Sequence, residues 1–276
     1  MAVNKFIKRI VSTTSEEAQM DNNNLATLFD YTHSIHSDPL TVLAILLSAL
    51  VHDADHRGVS NMQLSIEEPE MASIYRNKSI AEQNSLDIAW DLLMSDQFAA
   101  LQACIFASEE DLKRFRQVLV NVVLATDIFD KEINDVRKKR WNKAFAEEFS
   151  TDPEINNLRA TIVIEHIIQA SDVAHTMQHW HVYRKWNKRL FTEMHVAYKA
   201  GRMGKDPRDF WYQGELGFFD NYIIPLSKKL KDCNVFGVSS DECLNYAIKN
   251  RAEWENHGQD LLAEMVVELH NGRLEI

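Results

Sequence analysis

The stretch "PLTVLAILLSALVHDADHRGVSN", residues 39–61, decides the reading of this chain. Its first part, Leu40 to Val51, is the longest apolar run in the sequence. At 12 residues it falls short of the roughly 18 or more needed to span a bilayer. It reads as a buried helix. Directly after it, His52, Asp53, Asp55 and His56 put two imidazoles and two carboxylates into five positions. At a helix end, spacings of three and four bring such side chains to one patch. Imidazole with carboxylate is a ligand set suited to zinc, manganese or magnesium. The expectation is therefore a rigid apolar helix that holds metal ligands in a water-poor pocket, where their electrostatics are strong. Read without metal, the same residues are polar side chains at a helix terminus, with Asp55 and His56 solvated.

The rest of the chain supports helices throughout. Of 276 residues, 45% are apolar, enough for a substantial core. Glycine and proline number 8 and 5, where average usage gives about 19 and 14, so strand and turn punctuation is scarce. In "SEEDLKRFRQVLVNVVLAT", residues 108–126, Leu112, Phe115, Leu119, Val122 and Val123 share one stripe, and Ser108 is a helix-start signal. Leu86, Ala89, Trp90, Leu93 and Met94 do the same within 79–94. Further helical patterns cover about 132–148, 156–180, 182–199, 216–231 and 239–270. Loops are expected at "IEEPEM", "STDPEI", "AGRMGKDPRDF" and "KDCNVFGVS". The fold class is all-α, a single multi-helix domain over 1–276.

Charge and cysteine content exclude several functions. A formal charge of −11 and a pI near 5.5 argue against a polyanion-binding surface, so no nucleic-acid partner is expected. A small anionic substrate needs metal ions to supply positive charge locally. Cys104, Cys233 and Cys243 show no C-x-x-C spacing and read as reduced, packed thiols. No signal-peptide pattern opens the chain, so the expected setting is cytoplasmic, without membrane contact by this domain itself; a longer parent with its own anchor is left open.

A second candidate lies in "EHIIQASDVAHTMQHWHVYRKW", where Asp172, His175 and His179 fall at i, i+3 and i+7, one face of a helix. A distant carboxylate completing a site begun by His52 and Asp53 is how helical bundles assemble metal centres. Surface exposure of His175 to His181 is the plainer reading.

With both segments in hand, the chain resembles the catalytic domain of class I cyclic-nucleotide phosphodiesterases, within the His-Asp metal-dependent phosphohydrolases. His52, Asp53, Asp55, His56, Gly58 and Asn61 reproduce the family's H-D-x-D-H-x-G-x-x-N motif. The match continues through "LATD" at 124–127, "QASDVAH" at 169–175, "YRKW" at 183–186 and "GFFDNYIIPL" at 217–226. The resemblance implies that His52, Asp53 and Asp172 are ligands of a tightly held ion, usually zinc. It also implies that Asp53 bridges to a second ion, usually magnesium with manganese as an alternative, whose waters His56, Glu82 and Asp127 hold. Two such ions make a nucleophile at neutral pH and neutralise a phosphodiester. For the base, Phe218 resembles the aromatic platform and Leu190 the opposing apolar jaw, with ordinary core packing as the alternative for each. Glu82 has a structural reading too, because Ser79 and Glu82 fit an S-x-x-E capping box.

Three departures follow. The family's Y-H-N-x-x-H motif, source of the general-acid histidine and a further zinc ligand, is not found before His52. "YTHSIHSD", with Tyr31, His33 and His36, spaces its histidines by three where the family has four. The expectation is a domain truncated at its N-terminus relative to the family. Asn84 and Ser85 stand where the family usually has two histidines, and Glu215 stands where it has a purine-binding glutamine. An ionised carboxylate only accepts hydrogen bonds, whereas an amide also donates.

The implied function is hydrolysis of cyclic AMP or cyclic GMP to the 5′-monophosphate in second-messenger signalling. Alternatives are a catalytically impaired regulatory or scaffolding domain, and a more distant phosphohydrolase acting on linear phosphates. The implied partner is the small cyclic nucleotide. A homodimer or a longer regulated parent protein is left open.

Overall fold

The computed structural model describes residues 2–10, 35, 38–146, 152–236 and 239–271, and among these there are helices and no strands. The chain begins with α1 (Ala2–Arg9) and α2 (Pro39–Val51). Asp38 caps α2, its carboxylate accepting from the Leu40 N–H at 3.1 Å, and Pro39 occupies the first turn where its missing N–H is harmless. Two short helices follow, α3 (Asn61–Glu67) and α4 (Pro69–Ile74), then α5 (Ile80–Leu93), α6 (Ala99–Ile105) and α7 (Glu109–Leu124). The second half holds α8 (Lys131–Ala144), α9 (Pro153–Asp172), α10 (Trp180–Lys199), α11 (Trp211–Phe218), α12 (Ile224–Asp232) and α13 (Glu242–His270). A turn of π-helix, Phe219–Ile223, joins α11 to α12 without a break.

The centre of the molecule is α9. From Ile162 to Ala170 every residue is buried, including Glu165, His166 and Gln169. A helix enclosed on all sides is apolar round most of its surface, and the three buried polar side chains of "TIVIEHIIQA" are each hydrogen-bonded, Glu165 accepting from Arg140, His166 bonding to the Ile162 carbonyl and Gln169 donating to the Ala125 carbonyl. Around it α1, α8, α12 and the end of α7 pack, and Tyr183, Phe191, Phe219, Trp254 and Met265 extend the same core. A second core lies between α2, α5 and α7, where Ala44, Leu93, Phe115, Leu119 and Val123 meet. Of the stripe read at 108–126, Phe115, Leu119 and Val123 fill it, while Val122 packs into the first core. None of the described helices is long and apolar enough to cross a membrane.

Four sequence expectations change. The apolar run of α2 buries one face only: Ala44, Ile45 and Ser48 are enclosed, while Leu50 is 69% exposed. "IEEPEM" is not simply a loop, because Pro69 starts α4 there. The helix expected over 156–180 ends at Asp172, and residues 174–177 form a single 3₁₀ turn. His179 lies beyond it as the residue before α10. Asp172, His175 and His179 therefore do not share a helical face.

Candidate metal centre

The last turn of α2 delivers the first ligand. His52 caps that helix, and its Nδ1 lies 3.3 Å from the Ala49 carbonyl, which accepts the ring proton and leaves Nε2 as the free nitrogen. That Nε2 lies 3.3 Å from Asp53 Oδ2 and 3.4 Å from Asp172 Oδ1. Asp172 arrives from the C-terminal end of α9, 120 residues away in sequence. One ligand atom from each of the three lies within 4.8 Å of the others. An imidazole lone pair facing two carboxylates is satisfied only by a cation, either a proton or a metal ion. The burial of His52 pulls its pKa down, but the hydrogen bond it donates to Asp172 and the charges of Asp53 and Asp172 outweigh it, so the net shift is upward. The donor set thus fits a divalent ion.

The pocket is wetter than the sequence reading has it. The His52 side chain is 16% exposed, but Asp53 and Asp172 are 65% and 40% exposed. The helix supplies rigidity and a wall on one side, and water reaches the other.

Beyond Asp53 the chain leaves helical geometry. Asp55 adopts φ +61, the left-handed region that an aspartate tolerates, and turns its carboxylate to Arg57 at 3.2 Å. The i, i+4 relation of His52 and His56 is thereby lost. His56 is exposed, and its Nδ1 accepts the Gly58 N–H at 3.1 Å, so its neutral form carries the proton on Nε2. Gly58 makes this turn at φ +69.

A second acidic cluster forms around Asn61. Its Nδ2 donates to Glu82 Oε2 at 2.9 Å and to Asp127 Oδ2 at 3.4 Å, and its Oδ1 accepts from the Ala81 N–H at 2.9 Å. Asp127 is buried and accepts three further bonds, from Ser79 Oγ at 2.7 Å and from the Phe129 and Asp130 N–H groups at 3.1 and 3.3 Å. Burial, together with the Asp127 charge, raises the Glu82 pKa against the pull of Asn61, the glutamate's own N–H and His56. The capping box does not form. Ser79 sits at φ +40, makes no cap, and spends its hydroxyl on Asp127. Glu82 is thus left with a hydrogen-bond partner from the H-D motif itself, and His56 lies within its electrostatic reach.

The base-side residues occupy α10 and α11. Glu215 is buried, and its Oε2 accepts from the Tyr183 hydroxyl at 2.5 Å. The direction of that bond is fixed from behind. The Trp211 indole, a donor only, gives to Asn187 Oδ1 at 3.2 Å, so Asn187 must present its amide to Tyr183, whose oxygen accepts at 3.2 Å. The Tyr183 proton can then go only to Glu215. Burial raises the Glu215 pKa, opposed by the bonds from Tyr183 and Asn187. Phe218, half-buried one turn along α11, stacks on Tyr222 with ring centres 5.4 Å apart, and Tyr222 feels the Asp172 charge. Leu190 is 42% exposed on α10, three residues after Asn187. His175 lies nearly parallel to the Tyr183 ring at 6.4 Å, and burial pushes its pKa down to about 4 despite Asp172.

Sequence reading gives no individual role to Asn61, Tyr183 or Asn187, and gives Ser79 a cap that it does not make. Asn61 and Tyr183 stood inside matched motifs, which was the available signal. Ser85, in place of a histidine, is fully buried and donates to the Ala54 carbonyl at 2.7 Å, bracing the His-Asp turn. Tyr31, His33 and His36 lie outside the described residues.

Comparison with known proteins identifies the family. The family model for 3′5′-cyclic nucleotide phosphodiesterase matches residues 23–236. A probable 3′,5′-cyclic-AMP phosphodiesterase of Caenorhabditis elegans is 25% identical over 212 residues, 70% of this chain and 30% of that protein. A cGMP-specific 3′,5′-cGMP phosphodiesterase of Dictyostelium discoideum is 23% identical over 228 residues, 80% and 46% of the two chains. The chain thus spans less than half the length of these curated relatives. In fold it is similar to the crystal structure of the phosphodiesterase domain of the RhoPDE fusion protein from the choanoflagellate Salpingoeca rosetta, with a TM-score of 0.67 at 20% identity, covering 94% of this chain and 89% of that one. With its H-D motif, its two acidic clusters and most of its length matched by one family model, the chain belongs to the 3′5′-cyclic nucleotide phosphodiesterase family.

Proposed function

We propose that this helical unit is a catalytic domain that hydrolyses 3′,5′-cyclic nucleotides to 5′-monophosphates at a pair of divalent cations. The observation that carries the reading is the meeting of His52, Asp53 and Asp172, from two distant helices, in a member of this family. His52, Asp53 and Asp172 would hold the first ion, zinc being one that their donors suit, and a second, magnesium or manganese, would be served by Asp53 with water held by Glu82 and Asp127. Such a pair polarises a phosphoryl oxygen and lowers the pKa of water.

The chain's own residues do the rest. His52 releases its Nε2 proton when a cation takes its place, so loading is coupled to proton release. Asp127 is held rigid by its four donors, and Glu82, with Asn61 as its side-chain donor, has acceptor sites left to orient water. His56, protonated on Nε2 when neutral, donates toward the reacting phosphate or its water. Phe218 and Leu190 sandwich the base, and Glu215 reads its edge. Tyr183 already donates to one carboxylate oxygen, and an ionised Glu215 offers the base only acceptors. Guanine, with N1–H and N2–H₂ to give, is therefore the preferred base, as adenine presents a bare N1.

The test is turnover of cyclic AMP and cyclic GMP with zinc and magnesium or manganese supplied, in the parent, in Asp127→Asn and in Glu215→Gln. Metal-stimulated hydrolysis that Asp127→Asn abolishes supports the reading. No hydrolysis by a fully metal-loaded chain would favour the second reading, an impaired regulatory domain, to which Asn84 and Ser85 in place of histidines point. An unchanged cyclic GMP to cyclic AMP ratio in Glu215→Gln would remove the guanine preference alone.

A further inference from the structure

The loop that presents Asp127 is tied down by side chains from behind. α7 ends at Leu124, and the last carbonyls of a helix have no partner within it. Here Leu124 O accepts from Arg137 NH2 at 3.0 Å, and Asp127 O accepts from Arg137 NH1 at 3.1 Å. Between them Ala125 O accepts from Gln169 at 2.9 Å, and just beyond them Ile128 O accepts from Asn134 at 2.8 Å. Arg137 also donates to Asn134 Oδ1 at 3.2 Å, which fixes which way that amide faces. One half-buried guanidinium therefore grips both sides of the turn whose carboxylate faces Asn61 and Ser79.

Resting on the two-cation reading above, we propose that Arg137 is a positioning residue for the second cation site, setting the Asp127 carboxylate through its backbone. The chemistry asks for arginine. Its planar fork spans two carbonyls at once, where a lysine is a single flexible point charge. A guanidinium at the C-terminal end of α7 also opposes the negative pole of that helix. The next turn of α8 makes a separate tie, to α9 and not to the Asp127 loop. Arg140 pairs with the buried Glu165 of α9 at 2.8 Å, seven residues before Asp172. Helix α8 thus ties the loop of Asp127 to the helix that carries Asp172. Groups that orient metal-binding residues from outside typically change affinity by about 10–100-fold when removed.

The experiment uses the whole chain loaded with zinc and titrated with Mn²⁺, following free Mn²⁺ by electron paramagnetic resonance. Zinc stoichiometry is measured alongside by mass spectrometry. Wild type is expected to take up Mn²⁺ beyond its zinc. Arg137→Met should weaken that uptake about 10-fold, and Arg137→Lys, which keeps the charge but loses one of the two bonds, by roughly a third of that factor, with zinc unchanged. Arg140→Met, which strands buried Glu165, is the control. It should lower the melting temperature and leave Mn²⁺ affinity near wild type. Should Arg137→Met fail to fold, Arg137→Lys decides. Wild-type Mn²⁺ affinity in the Arg137 variants, or an equal weakening in Arg140→Met, overturns the positioning role while the two-cation reading stands. If wild type takes up no ion beyond zinc, the two-cation reading falls and this assignment falls with it.

Discussion

Replacing Asp53 by alanine separates a metal ligand from a structural residue, with Asp55→Ala as its neighbour control. The Asp53 carboxylate is 65% exposed, and the partner shown for it is His52 at 3.3 Å. A pair that open to water is worth about 0–1 kcal/mol, so the metal-free chain should lose almost no stability. Asp53 and Asp172 moreover crowd the same imidazole, and removing one relieves repulsion between like charges. Metal binding responds in the opposite sense. Asp53 supplies one of three ligand atoms gathered within 4.8 Å. Loss of an outer contact to a metal ligand already costs about 10–100-fold in affinity, so loss of the ligand itself should cost at least about 100-fold, or roughly 2.7 kcal/mol. Asp55, turned toward Arg57, should cost less than about 3-fold, within the range of surface substitutions.

The assay is zinc retained after dialysis against a buffered zinc series, with urea unfolding of each metal-free variant. The His52 pKa, followed by NMR in the metal-free protein, should fall in Asp53→Ala because one of the charges raising it is gone. Equal zinc losses in the two variants, or a large loss of metal-free stability in Asp53→Ala, would refute the assignment.

Two further substitutions test the supporting groups. Ser79→Ala removes a buried hydroxyl bond to the Asp127 carboxylate and should cost about 1.5–3 kcal/mol by urea unfolding, while Ser79→Gly should cost less, because glycine relaxes the φ of +40. Glu215 has a folded pKa raised above its ordinary 4.5, so its contribution is present in full below about pH 4.5 and is lost as pH rises through the folded value. Glu215→Gln should therefore gain stability over the parent at about pH 7.5 relative to about pH 4; a gain independent of pH would contradict the raised pKa.

Much of the fold is legible because it rests on short-range patterns. Scarce glycine and proline, the stripe on α7 and the mostly apolar stretch of α9 each follow from local spacing. The site is legible where a motif carries it, as with His52, Asp53 and Asp172. What was misread depends on single backbone angles or on contacts across the chain. Asp55 at φ +61 breaks the helical relation of His52 to His56, and no periodicity reports one residue in the left-handed region. Ser79 looked like a cap because S-x-x-E is local, but its hydroxyl goes to Asp127, 48 positions away. Tyr183 and Glu215 are 32 apart, and only packing of α10 on α11 brings them together.

The same arrangement predicts the order in which metal and nucleotide bind. Asp53, Asp172, Glu82 and Asp127 place four carboxylates around the site in a chain whose formal charge is −11. The nearby basic groups are engaged elsewhere: Arg57 with Asp55, Lys78 with Glu132, Arg137 with two carbonyls. A cyclic nucleotide brings one more negative charge. At a separation of ~5 Å each like pair costs about 0.8 kcal/mol even at the dielectric of water, so four at comparable range amount to roughly 3 kcal/mol, or about 100-fold in affinity. Two divalent cations cancel four carboxylates in formal charge, and the repulsion becomes attraction. A non-hydrolysable cyclic GMP analogue should therefore bind measurably by calorimetry only to metal-loaded protein. Salt provides a second sign to check. Raising ionic strength screens repulsion in the metal-free chain and should strengthen any residual binding, whereas in the loaded chain it should weaken binding. Equal affinity with and without metal would mean that Phe218, Leu190 and Glu215 hold the base without help from the phosphate end, and the electrostatic ordering would be wrong.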